Sequence, residues 1–555
     1  MATGHEGQVE FPIRTIDSYL DDTVKNYAHR PAIYFMGKTT SYGELGDLVE
    51  RTAGALQAMG VKKGDKIGLC LPNTPYYTIF YFAIMKVGGV VVNFNPLYVE
   101  REIAFQARDS GARIMVTMDL SLMYDRVEAV RQEGALDNII VCPMADILPQ
   151  PKKLLFKMFK RKEVASIPAD SAHTRFKDLL AKSKPVTPVA IDPKEDVALL
   201  QYTGGTTGVP KGAMLTHHNI TSNMEMLDTH YGGLKRGEEK TLCVLPFFHV
   251  FAMTVLQNVS VLAGAEMLLM PRFDLKELLE LAGKKKPTLF AAVPTLYTAI
   301  NNSELTKNYD LSSINSCISG GAPLPVEVKQ KFEALTGCVL VEGYGLTESS
   351  PVTSANPMDG TGKDGSIGRV LKGARLEFRD LDDPEKVVER GEKGEVCIIG
   401  PHVMKGYWNR PDETAKTLED GRVLHTGDVG YMDEDGYIFL VDRIKDLIIC
   451  SGYNVYPRVI EEAMYLHPAV AEVIVIAIPD GYRGQAPKAF VKLKDGASAT
   501  EDGIKNFLKD HISKIEMPKA IEFRDELPKT MVGKLSKKEL VEEEAAKTRS
   551  AEKVS

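Results

Sequence analysis

Four short stretches of the 555-residue chain combine residue types that handle phosphate, a hard cation and sugar hydroxyls. The first is QYTGGTTGVPKGAMLTHHNI, residues 201–220. Glycines let backbone N–H groups approach phosphate oxygens closely. Thr203, Gly204, Gly205, Thr206 and Thr207 supply that backbone and the hydroxyl donors, and Lys211 adds a positive charge. In a P-loop, Gly directly precedes the Lys and a hydroxyl directly follows it. Here Pro210 precedes Lys211 and Gly212 follows. The loop therefore reads as a phosphate cradle of another kind, with an ordinary turn as the competing reading.

The second stretch is LVEGYGLTESS, residues 340–350. Tyr344 stands between two glycines, where a turn can present its ring as a stacking platform. Thr347 and Glu348 follow. Mg²⁺ prefers carboxylate and phosphate oxygens, so Glu348 is a candidate metal ligand. The alternative is a helix cap followed by a first-turn acid. In the third stretch, LHTGDVGYMDEDGYIFLVDRIKD, Asp428 reads as part of a tight Thr-Gly-Asp turn able to bind ribose hydroxyls, or as a plain turn aspartate. DEDG is a hairpin signal. The fourth, LPKTMVGKLSKKEL, puts Lys534 in a polar loop from which it can swing onto developing negative charge.

These residues need a scaffold, and the first part of the chain supplies a strand–helix rhythm. KIGLCLPN reads as a buried strand, TPYYTIFYFAIMKVGG as a helix closed by Gly, and VVVNFNP, ARIMVTM and NIIVC as further strands. Such alternation implies an α/β fold with a large domain of helix-covered, mostly parallel sheets. Ligands sit at the carboxyl ends of strands in such sheets. DVALLQYT leads straight into the Gly/Thr loop, as that rule requires. Beyond residue 442 the texture becomes a small α+β unit: PRVIEEAMYLHP and EDGIKNFLKDHI read as helices, AEVIVIAIPD and KAFVKLKDG as strands. The expected division is 1–442 and 443–555, joined by a short hinge. The tail from about Glu542 reads as frayed.

Net charge is −7, which disfavours a nucleic-acid binder held by bulk electrostatics. Seven scattered cysteines without a C-x-x-C pair argue against a disulfide framework and fit a reducing compartment. Residues 1–15 contain no apolar segment of the signal-peptide kind. The apolar run from Phe247 to Pro271 is broken by His249, Gln257, Asn258 and Glu266, and reads as buried core. PKKLLFKMFKRKEV, residues 151–164, forms a basic amphipathic helix if helical. Leu154, Leu155, Met158 and Phe159 then share one face, with Lys153, Lys157, Lys160 and Arg161 towards the other. That pattern suits an anionic lipid surface or simply a solvated helix. The expected location is cytoplasmic, with peripheral contact at the inner face of a membrane through Lys152–Lys162.

Taken together, the four stretches resemble the adenylate-forming family of acyl-CoA synthetases, luciferases and peptide-synthetase adenylation domains. LPFFHVFAMT, SGGAPL, GSIGRVLKGARLEF, KGEVCIIGPHVMKGYWNRPDET and DRIKDLIICSGYNVYP add to the resemblance, which spans about residues 15–540. Within the family, YTGGTTGVPKGAMLTH and SGYNVYP look most like bacterial long-chain fatty-acid–CoA ligases.

The resemblance implies ATP, Mg²⁺ and coenzyme A, with a fatty acid as the activated substrate. It implies that the loop 203–207 and Lys211 grip the β- and γ-phosphates. Gly321, Gly343 and Tyr344 would border adenine, Thr347 the α-phosphate, and Glu348 the metal. Asp428 would bind ribose with help from Arg443, and Lys534 would bridge carboxylate and α-phosphate. Lys445 falls at the family's hinge. Gly452 and Tyr453 would line the CoA channel, with Arg272 a further candidate for CoA phosphates. Val293–Leu296 and Gln257–Leu262 would line the acyl pocket. His249 matches a gating position beside the acyl carbonyl, although a histidine among aromatics is also a common core residue.

Segment 247–255 has no carboxylate to pair a substrate ammonium, which favours a plain carboxylic acid. Ile449 and Ser451 stand where coumarate ligases and luciferases carry lysines, and Glu342 where many relatives carry Gln. The alternatives are an acyl-AMP ligase serving a carrier protein and a ligase for a medium-chain or aryl acid. A homodimer is compatible with the family.

Overall fold

The structure, a computed structural model, describes residues 3–5, 9–203, 210–451, 453–530 and 533–552. An eight-stranded sheet is parallel from Val197–Thr203 (β1) through Val90–Asn93, Lys66–Cys70, Ile114–Met118 and Asn138–Cys142 to His173–Arg175. On its other side Lys211–Thr216 (β2) runs antiparallel to β1, and Gly406–Tyr407 pairs beyond it as the edge strand. A nine-stranded sheet has a parallel centre in which Ser316–Ser319 (β3) pairs with Val339–Gly345 (β4). The central strands are apolar and buried along almost their whole length, as strands covered on both faces must be.

The helix Pro75–Lys86 (α1) is buried at every residue except Lys86. It has no polar face, so it lies inside the molecule rather than on it. Its side chains join those of both sheets in one hydrophobic cluster. The apolar run from Phe247 is core as expected, including a wide-turn helix, Ala252–Asn258, with all seven residues buried.

The large domain also holds a third, antiparallel sheet that the strand–helix rhythm does not announce. Arg375–Arg379, Gly394–Ile399 (β5), Val423–Met432 (β6) and Ile438–Arg443 (β7) follow one another in it. The DEDG segment is the connection between β6 and β7, as the hairpin signal indicated. Asp428, expected in a tight turn, instead stands within β6. The glycine beside it, Gly427 at φ +70, belongs to an irregularity in the pairing with β5.

A turn, Ile444–Asp446, follows β7 and leads into a separate five-stranded sheet. Its long hairpin, Val470–Asp480 and Gly484–Leu493, is flanked by the helix Pro457–Tyr465 (α2). The tail differs from the expectation of fraying. Lys538–Glu552 is a helix that buries Leu540 and pairs Glu544 with Lys488. Lys152–Phe159 is the expected basic helix, and Leu154, Leu155, Met158 and Phe159 are 47–73% exposed. Among the described residues, no helix is long and apolar enough to cross a membrane.

Candidate active site

Strand ends carry the site. β1 delivers Thr203, whose hydroxyl lies 3.5 Å from the Lys211 carbonyl at the start of β2. Gly204, Gly205, Thr206 and Thr207, between these strands, lie outside the described residues, as does Gly452. The Lys211 ammonium is 2.5 Å from Glu413 and 5.0 Å from the centre of the Tyr407 ring. The Tyr407 hydroxyl donates to Glu348 at 2.7 Å. Tyr407 thus joins the candidate phosphate lysine to the candidate metal carboxylate. Among the described residues, no lysine or arginine forms a salt bridge with Glu348. An oxygen donor of that kind fits a hard divalent cation such as Mg²⁺.

β3 and β4 pair in register, Ser319 opposite Glu342, so the loop after β3 and the end of β4 lie side by side. Gly321 is in the first and Gly343 and Tyr344 are in the second. The Tyr344 hydroxyl donates to Asp428 at 2.6 Å. Burial and the adjoining carboxylate hold that phenol far above its ordinary range, so it stays protonated. Asp428 also receives Arg443 at 2.8 Å and is 4% exposed. Asp428 and Arg443 lie opposite each other across β6 and β7, so backbone pairing sets up the ion pair. The carboxylate in turn stabilises the Arg443 cation.

Lys534 comes from the small domain. Gly321 has φ +82, and a Cβ built on it would sit 2.4 Å from Lys534 Cε and 2.7 Å from Nζ. Glycine suits that positive φ and lets the lysine tip lie against the backbone without a shift. Burial, then the Arg443 charge, lower the Lys534 pKa. The Thr295 hydroxyl donates to the Gly533 carbonyl at 3.1 Å and ties the loop to the large domain. His249 is on the same side: burial, then the Lys534 charge, push its imidazole down to about 4. Arg443 feels the charges of both Asp428 and Glu348. Lys534, His249, Arg443, Asp428, Tyr344 and Glu348 therefore form one electrostatic neighbourhood.

A family model described as AMP-binding enzyme matches residues 20–408, and one described as AMP-binding enzyme C-terminal domain matches residues 459–534. The chain belongs to the AMP-binding, adenylate-forming enzyme family. A long-chain-fatty-acid–CoA ligase of Bacillus subtilis is 44% identical over 542 residues, covering 97% of this chain and 96% of that protein. One from Escherichia coli O157:H7 is 38% identical, covering 95% and 94%. ATP-bound MatB from Rhodopseudomonas palustris superposes with a TM-score of 0.83 at 30% identity, covering 96% of this chain and 99% of that one.

For an AMP-binding enzyme, several predicted residues stand apart from the cluster. Tyr453 is 68% exposed on an edge strand of the small domain, and Arg272 is exposed beyond the strand Glu266–Leu269. Lys445 lies in the turn between domains, its pKa lowered by burial and by Arg443. Val293 touches the Lys534 loop, since a Cβ on Gly533 would lie 3.6 Å from its side chain. Sequence reasoning missed Tyr407, Glu413 and the tether made by Thr295, a residue it placed only within the acyl-pocket segment Val293–Leu296. Tyr407 and Glu413 sit inside the motif KGYWNRPDET, whose clustering of Tyr and acids was the available signal. The tether had none.

Proposed function

We propose that this protein activates a long-chain fatty acid with ATP and passes the acyl group to CoA. The observation that carries the reading is the Lys534 ammonium packed against Gly321, beside the Asp428–Arg443–Tyr344 cluster. The likeness to ligases named for long-chain fatty acids supplies the substrate class.

A carboxylate has no leaving group better than oxide. Its oxygen attacks the α-phosphorus of ATP, the bond to the bridging oxygen breaks, and pyrophosphate leaves. Both reactants are anions, so the barrier falls only if cations are held in position. Lys534 is assigned to the carboxylate and α-phosphate, Thr347 to the α-phosphate, and Lys211 to the departing pyrophosphate. Asp428 and Arg443 take the ribose, and Gly321, Gly343 and Tyr344 the adenine. Glu348 would hold Mg²⁺, which when bound offsets phosphate charge. The CoA sulfur then attacks the acyl carbon as thiolate, the C–O bond breaks, and AMP leaves. His249, kept neutral, is assigned to the acyl side. The acyl chain is assigned to the pocket bordered by Val293–Leu296 and Gln257–Leu262.

Two bodies divided near residues 442–443 would pivot about Lys445, presenting Lys534 for adenylation and Gly452 and Tyr453 for thioester formation. We further assign the helix Lys152–Phe159 to an anionic bilayer. Its exposed apolar face stands among Lys157, Arg161 and Lys162, none of them salt-bridged within the described residues, and a long-chain acid would itself partition into a bilayer. Flotation with phosphatidylglycerol vesicles should carry the wild type. It should not carry Leu155→Glu/Phe159→Glu, and equal flotation would remove that role.

The deciding experiment is a panel of carboxylic acids, short to very long, assayed for ATP-dependent pyrophosphate release and for CoA thioester. Long-chain acids should give both products. Pyrophosphate release without a free-CoA product would point to a carrier-protein acceptor. A preference for aryl acids would overturn the substrate assignment.

A further inference from the structure

The antiparallel sheet carries a second cluster of ligating atoms, made of side chains that the ATP-site assignment does not use. Cys397 on β5 lies directly opposite His425 on β6. The Cys397 sulfur is 3.6 Å from His425 Nδ1, and Glu395 Oε2 is 2.9 Å from the same nitrogen. All three donor atoms lie within 4.8 Å of one another. We propose that Glu395, Cys397 and His425 bind a divalent transition-metal ion of the zinc class, through Oε2, Sγ and Nδ1.

Three features favour an ion. Zinc bonds of about 2.3 Å to sulfur and 2.0–2.1 Å to nitrogen and oxygen give tetrahedral edges of roughly 3.6 Å for N–S and 3.3 Å for N–O. The N–S spacing already matches, and the N–O pair opens by about 0.4 Å on binding. Next, the outer contacts that ligands require are made. Glu419 Oε2 is 3.1 Å from the other ring nitrogen of His425. Carboxylates of this kind orient metal-bound histidines. The Gly427 amide donates to Glu395 Oε1 at 2.9 Å, which leaves Oε2 for the ion. Finally, the His425 and Glu395 side chains are 19% and 14% exposed, so a fourth position can be filled by water and an ion can enter.

A thiolate–imidazole–carboxylate set selects a borderline-soft ion, unlike the oxygen donor at Glu348. Zinc binds thiolate and neutral imidazole, so uptake competes with protons for these ligands and is pH-dependent. A bound ion would clamp β5 to β6 beside Gly427, next to Asp428.

The test uses the untagged full chain, freed of metal with a chelator and held at about pH 8. Zinc is titrated calorimetrically in buffers of different ionisation enthalpy, and cobalt(II) by absorbance. Expected are about one ion per chain, a net release of protons, and a sulfur-to-cobalt charge-transfer band. Cys397→Ser should lose the band and at least tenfold in zinc affinity, and Glu419→Gln should lose about tenfold with the band retained. The wild-type spectrum tests the site even if a variant fails to fold. No zinc uptake at micromolar concentration, or equal uptake by Cys397→Ser, would reduce the cluster to a proton-held ion-pair network.

Discussion

The Asp428 cluster, proposed to hold the ribose, and Lys534, proposed to bridge the two reacting anions, are built in opposite ways. Asp428 is fixed by strand pairing, held by Arg443 at 2.8 Å and Tyr344 at 2.6 Å, and buried. Lys534 stands on a loop of the other domain, and a hydrogen bond from Thr295 to Gly533 ties that loop across. A group that binds throughout the reaction benefits from being preformed. A cation needed only while two anions meet can be delivered and withdrawn, at the cost of burying it beside Arg443. The contrast teaches that binding and adenylation chemistry are separable here, and mutations should separate them.

Lys534→Ala gives the largest effect. Fatty-acid-dependent ATP–pyrophosphate exchange should fall by roughly a thousandfold, the scale for losing a positioned charge in a low-dielectric site. Transfer to CoA from supplied acyl-adenylate should stay within about threefold, because the lysine acts on charge that develops only in the first step. The melting temperature should hold or rise, since the variant removes a buried cation that forms no salt bridge among the described residues. Equal losses in both half-reactions would end the contrast.

Asp428→Asn keeps the shape and removes the charge. Both half-reactions should suffer, with KM for ATP raised about 10- to 100-fold, because the ribose is held throughout. Stability should drop by about 1–3 kcal/mol, the range for weakening a hydrogen-bonded, partly buried charge. An effect confined to kcat of adenylation would place Asp428 with the lysine rather than with the ribose.

Much of what the candidate site brings together was legible as candidate residues because the motifs are local. GYGLTE, LHTGD and the strand before the Gly/Thr loop name their residues within a few positions, and apolar strand runs announce the parallel sheets. What was not legible depends on distant partners. Glycine punctuates turns and bulges alike, so Thr426-Gly427-Asp428 read as a turn until β5 supplied the other half of the pairing. The tail read as frayed because Lys488 and the packing around Leu540 lie far back in the chain. The link from Lys211 to Glu413 likewise joins residues some two hundred positions apart, and no local pattern announces it.

The domain boundary offers a pH test. Burial raises the Glu342 carboxyl to about 7, with Arg458 of α2 opposing. Its ordinary value is 4.5, so between the two values the folded state holds a proton that the unfolded state has lost. Stability from this group is full below pH 4.5 and declines as pH rises through about 7. His249 runs the other way: unfolded near 6.5 and folded near 4, it stabilises above 6.5 and loses that contribution as pH falls towards 4. Glu342→Gln should therefore be more stable than wild type at pH 8 by about 1–2 kcal/mol and level with it near pH 4. Denaturant unfolding at the two pH values measures this, and a constant difference would show that Glu342 does not titrate on folding.

The smallest effect concerns the phosphate grip. The Lys211 ammonium rests on Glu413, a partly exposed pair of the kind that contributes little to stability. If Lys211 must leave Glu413 to meet the pyrophosphate, Glu413→Gln removes a competitor and should lower KM for ATP about two- to threefold, with kcat unchanged. Lys211→Ala should instead raise KM for ATP. If Glu413→Gln raised it as well, Glu413 would be orienting the lysine rather than restraining it. The phosphate grip would then be as preformed as the Asp428 cluster, leaving Lys534 alone as the delivered cation.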